Sequence, residues 1–209
     1  MAPKEHIAPF YTAIGEVVVK WNDAENVTKA VLIELCGSNP KTWILTAELG
    51  NVGLENALRT AAADVAPIHL RDHIDHAIEW FSRLREKRNY YVQGVRRITT
   101  DRRNAPIGII KQISAKSALV FHDELLSIDD LLDLIEQVHE FLIFALAINI
   151  HLHEMLVQER SHGPPPSPLP QMPPLPDRLV KPRRYLQGDK HPREKSPTRS
   201  KPKPRSRKS

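Results

Sequence analysis

Thirteen of the eighteen prolines in this chain fall after position 160. Proline fixes φ and removes an amide donor, so it interrupts helix interiors and central strands. The 209 residues are thereby divided. Positions 1–160 hold five prolines and can sustain long helices, whereas positions 161–209 cannot build a core. Charge divides at the same place. Positions 1–160 carry 17 basic and 22 acidic residues, and positions 161–209 carry 13 basic and 3 acidic. A mildly acidic body is expected over 1–160, followed by a disordered, Pro-rich and basic tail over 161–209.

Within the body, apolar residues recur at three- and four-residue steps. Phe10, Ile14, Val17, Val18, Trp21, Thr28, Val31, Leu32 and Leu35 predict a helix over about 9–36. Gly37 would end it, since glycine tolerates the left-handed conformation. Asn39-Pro40 reads as the next start, with Asn39 capping free amides and Pro40 in the first turn. A second helix is expected over about 40–64, with Trp43, Ala47, Gly50, Leu54, Ala57, Leu58 and Ala61 facing inward. A third should run from about 68 into the low 90s on a stripe of Leu70, Ile74, Ala77, Ile78, Phe81 and Leu84.

After Gly94 the pattern changes. Val95–Thr99, Ile107–Ile113 and Ser117–His122 are rich in β-branched residues, and 101–106 has turn composition. A small antiparallel β insertion is expected over about 95–122. Ser127-Ile128-Asp129-Asp130 then opens a last helix to about 158, with Ser127 and Asp130 as a variant capping box. The fold class is mainly α: a bundle of about four long helices with the β insertion before the last.

Several classes are excluded. Cys36 is the sole cysteine, so no intrachain disulfide forms, and its place on an apolar pattern predicts a buried thiol. The first residues lack the apolar core of a signal peptide, and Phe141–Ile148 is too short to span a bilayer. A cytoplasmic protein without membrane contact is expected. There is no Walker-type glycine loop, nucleophilic serine elbow or cysteine cluster, and no cofactor is implied.

The third stripe continues onto Arg88, Tyr91 and Val92. Arg85, Glu86 and Lys87 read as a solvated charge run, but Arg88 occupies a core-facing register. A buried guanidinium needs partners. Arg88-Asn89-Tyr90-Tyr91-Val92-Gln93-Gly94 resembles the signature of the HEPN superfamily: arginine, a polar residue after it, then histidine and often glycine. The resemblance covers roughly residues 10–160 and implies a helical homodimer whose paired motifs line one cleft. In active members it implies a metal-independent endoribonuclease. Arginine would bind phosphate, Asn89 would position by hydrogen bonding, and histidine would move the proton. Here that position holds Gln93, which does not titrate near neutral pH and cannot shuttle a proton. A binding pocket of Arg88, Asn89, Tyr91 and Gln93 is expected, holding RNA or a nucleotide with little or no turnover. The alternative is that Arg88, Asn89 and Gln93 form a buried polar network fixing helix register or a dimer interface.

Other candidates are weighed beside it. Arg96, Arg97, Arg102 and Arg103 form either a solvated hairpin tip or a phosphate-contacting patch. His69, His73 and His76 share one helical face, an exposed or half-buried polar stripe without a third metal ligand in view, so no metal site is assigned. His139 reads as a helix-packing histidine, and His151 and His153 point to different sides.

The proline run over 163–176 favours polyproline II geometry, either as a stiff spacer or, through Pro173-Pro174-Leu175-Pro176-Asp177-Arg178, as a docking segment. Residues 181–209 would contact a polyanion, cover the acidic body or only aid solubility. The alternative to ligand binding is a helical interaction or scaffold protein whose tail recruits partners.

Overall fold

A computed structural model of the chain describes residues 4–100, 105–115, 119–161 and 164–179. Five helices and a three-stranded sheet follow in the order α1 (Lys4–Cys36), α2 (Pro40–Ala47), α3 (Asn51–Val65), α4 (Ile68–Arg88), β1 (Val95–Thr100), β2 (Pro106–Ala115), β3 (Leu119–Leu126) and α5 (Ile128–Ser161). A π-helical turn, Asn89–Gln93, continues α4. The mainly helical class with a β insertion before the last helix is as the sequence implies.

Local signals place most boundaries. Gly37 ends α1 at φ 85°. The Asn39 carboxamide oxygen accepts from the amides of Lys41 and Thr42 at 3.0 and 3.1 Å. The Asp130 amide donates to Ser127 Oγ at 3.1 Å, while the Ser127 amide donates to the Asp130 carboxylate at 2.8 Å. This is the reciprocal capping box, with aspartate in place of glutamate.

The expected helix over 40–64 is two helices. It breaks at Leu49-Gly50, where Gly50 adopts an extended backbone ahead of α3. Glycine loses more conformational freedom in a helix than other residues, and Gly53 follows three residues later. The break changes the phase of the stripe. Leu54, Leu58 and Ala61 are buried as expected, but Trp43 is 56% exposed, and Ala47 and Gly50 face solvent.

α1 packs chiefly on α5, and also on α3, while α4 lies between α3 and α5. The centre of the core is aromatic. Trp21 stacks on Phe81 at 4.8 Å, Phe81 meets Phe141 at 5.8 Å, and Trp80 meets Phe141 and Phe144 at 5.9 and 5.8 Å. Each such pair contributes about 0.5–1.5 kcal/mol beyond its burial. Cys36 is exposed rather than buried: at the last residue of α1 it faces away from the core that Leu35 contacts. His139 is likewise exposed, on the side of α5 opposite Val138 and Phe141.

The sheet has the order β1-β2-β3, both pairings antiparallel, and β3 runs to Leu126 rather than 122. The β1–β2 register shifts between Val95 and Arg97. Gly108 sits on β2 where an added Cβ would lie 2.7 Å from Phe10 of α1. The absence of a side chain there lets the sheet close on the bundle.

The compact unit runs to Leu179, not to the expected boundary at 160. Leu169, Leu175 and Leu179 pack against the helical core, so the proline segment over 164–179 is neither spacer nor free tail. Apolar side chains interleaved with the prolines give it area to bury, which composition alone conceals. The basic stretch over 181–209, with the polyanion contact expected of it, lies outside the described residues.

Candidate functional site

Arg88 is the last residue of α4, and its register places it against α1. The guanidinium carbon lies 5.9 Å from the centroid of the Trp21 ring, within the range of a cation–π contact. Arg88 Nη1 donates to the Asn89 carboxamide oxygen at 3.0 Å. Arg88 Nε is buried and has no hydrogen-bond partner among the described residues. The core-facing reading of Arg88 therefore holds, with the indole face of Trp21 as its support. Trp21 is oriented in turn by its ring N–H, which donates to Glu25.

The π-helical turn Asn89–Gln93 places the other candidate residues. Such turns widen the helix and re-aim side chains, and they recur at functional sites. Arg88 and Asn89 are half-buried and joined. Gln93 is exposed and bonds to neither among the described residues. Tyr91 is half-buried and turned toward the acidic start of α5. Burial, then the charges of Asp130 and Asp133, hold its phenol above the ordinary tyrosine value. Of the four residues expected to form a pocket, Arg88 and Asn89 are joined, Gln93 stands on the solvent side and Tyr91 lies toward α5. Gly94 closes the turn. A Cβ there would lie 2.8 Å from Ile110 Cγ2, so the glycine is required by its approach to β2.

Of the expected solvated charge run, only Glu86 is exposed. Lys87 is only 9% exposed and donates to Gln137 Oε1 at 2.9 Å. Gln137 passes the link on to Asp133 at 2.6 Å. Arg85 forms a 2.7 Å ion pair with Glu55 of α3. Burial, the largest influence on Glu55, raises its carboxyl value against the opposing effect of Arg85. Lys87 lies three residues beyond Leu84, a spacing that could have signalled an inward position. The positive charge beside Arg88 is therefore tied into the fold on both flanks. Arg97 is exposed, whereas the Arg96 side chain, Arg102 and Arg103 lie outside the described residues.

The histidine stripe of α4 is occupied by the proline segment. His73 Nε2 bonds the Pro170 carbonyl at 3.1 Å, His76 bonds the backbone of Pro173, and His69 faces His151. Among the described residues no group of three or more His, Cys, Asp or Glu side chains is arranged to hold a metal ion. An open hollow of about 360 Å³ lies elsewhere, between α1 and α2, bordered by Asn26, Ile33 and the exposed Trp43. No helix among the described residues is long and apolar enough to cross a membrane.

Comparison with models of known protein families, with curated proteins and with solved structures found no match.

Proposed function

We propose that this chain is a HEPN-like helical protein that holds RNA or a nucleotide at the Arg88–Asn89 end of α4 without cleaving it. The carrying observation is the guanidinium of Arg88, fixed over Trp21 and bonded through one nitrogen to Asn89. With Nη1 held by Asn89 and Nε buried, a phosphate would be met by Nη2 at the outer end of the guanidinium. Gln93 stands at the solvent edge of the same turn and offers a carboxamide for hydrogen bonding. It supplies no proton transfer near neutral pH, which removes a factor of about 10²–10⁴ from any cleavage.

The reading includes a homodimer in which two such ends share one cleft, as the family resemblance implies. The exposed side chains of Trp43, Ile44 and Leu45 on α2 form an apolar surface suited to a partner. The test is RNA binding by the full chain, with helicity followed by circular dichroism. Arg88→Ala should weaken binding at least tenfold while the helical signal stays. Unchanged affinity in Arg88→Ala would remove the reading. An interaction protein is the second reading, favoured by the docked proline segment.

A further inference from the structure

Proline-rich chain has few amide donors, so a surface that reads it must offer donors to its carbonyls and apolar ground for its rings. The polyproline II helix has three residues per turn, so every third carbonyl points the same way. Residues 164–179 meet the body in that period. The Ser167 carbonyl accepts from His151 Nδ1 on α5. Along α4, the Pro170 carbonyl accepts from His73 and the Pro173 backbone is bonded by His76. The Pro176 carbonyl accepts from Arg83 Nη1 at 2.8 Å.

The contacts that break the series follow the same chemistry. The amide of Ser167, a residue that still has one, donates to Glu154 at 2.6 Å. Arg178 pairs with Glu79 at 2.8 Å. Leu169 and Leu175 between these polar contacts, and Leu179 just beyond the last, rest on the core. The helix and the segment run in the same sense, 73 to 83 beside 170 to 176. Over that stretch α4 rises about 15 Å and the segment about 19 Å. The reach of Arg83 takes up the difference.

We propose that the face of α4 and α5 bearing His73, His76, Arg83 and His151 is a polyproline-recognition groove, and that residues 164–179 are its built-in, displaceable ligand. The groove takes a left-handed, leucine-punctuated proline segment. Its own copy occupies it in cis and blocks entry from outside.

The test uses the full chain and a fluorescent synthetic peptide of residues 164–179. Leu175→Asp in the protein should free the groove. The opened protein should bind the peptide at least tenfold more tightly than the unmodified chain does. Adding Arg83→Ala to the opened protein should remove most of that gain. Leu169→Ser serves as a second opening variant if Leu175→Asp alters the helical signal. A peptide of the same composition with its leucines moved out of register should bind at least tenfold more weakly. Absence of peptide binding by helical, opened protein overturns the groove. Equal binding by opened and unmodified protein overturns cis occupancy. Equal binding of the shuffled peptide overturns recognition by period.

Discussion

The guanidinium carbon of Arg88 lies 5.9 Å from the centre of the Trp21 ring, joining the end of α4 to the middle of α1. The contact holds a charge at a core register by giving it a π face instead of a counter-ion. Cation–π contacts of this kind contribute about 0.5–2 kcal/mol, and the arginine stem adds packing. Arg88→Ala should lower the free energy of unfolding by about 1–3 kcal/mol in urea titration. A change within about 0.3 kcal/mol would mean that the cation contributes nothing to the fold.

Gln93 is where cleavage chemistry is missing. The unmodified chain should show no metal-free cleavage of RNA above background. Gln93→His restores a titrating imidazole at an exposed position on the same turn as Arg88. A gain of about 10²-fold over the unmodified chain is expected in a gel-based RNase assay. Strong metal-free cleavage by the unmodified chain would sink the noncatalytic reading.

Gly94 and Gly108 are steric requirements. Alanine at either would bring a Cβ to 2.8 Å from Ile110 Cγ2 or 2.7 Å from Phe10 Cζ. Overpacking of this kind costs about 1–3 kcal/mol. Thermal unfolding of Gly94→Ala and Gly108→Ala should show lower midpoints, whereas Gly15→Ala, with open space around it, should not. Midpoints no lower than that of the unmodified chain would show that Ile110 and Phe10 move aside freely.

The proline segment should release as pH falls. His76 bonds the segment through one ring nitrogen and buries the other without a partner. Protonation would place a charge and an unpaired N–H in that buried position. Burial is the main influence depressing the value of His76. The positive charges of His73 and Arg83 on its own helix add to it, while the bond to Pro173 opposes it. From α5 the facing group is the ring of Phe144. A value depressed in the folded protein means that the folded, docked state is favoured in full above the ordinary imidazole range near 6.5 and loses stability as pH falls through the depressed value. A fluorophore on Met172→Cys, in a Cys36→Ser background, should lose anisotropy on acidification, and His76→Gln should flatten the response. Anisotropy constant down to pH 5 would refute the coupling.

The helix ends were legible because their causes are local. Gly37, Asn39 and the Ser127–Asp130 pair each satisfy backbone groups within a few residues. The core stripes of α1 and α4 were legible from their period, and Arg88 was marked by falling on one of them. Trp43 and Lys87 were misjudged for the opposite reason. Trp43 follows a helix phase that ends at Gly50, and Lys87 is buried because α5 presents Gln137 to it.

The sequence by itself determined the helix ends at Gly37, Asn39 and Ser127, the core stripes of α1 and α4, and that position 93 lacks a titrating group. Only the tertiary structure decided what Arg88 rests on, because a cation–π partner 67 positions away leaves no trace in local spacing. It alone also placed the proline segment. Composition says that such a chain cannot form a core, but not that a face of histidines, arginine and packed aromatics lies ready to receive its carbonyls.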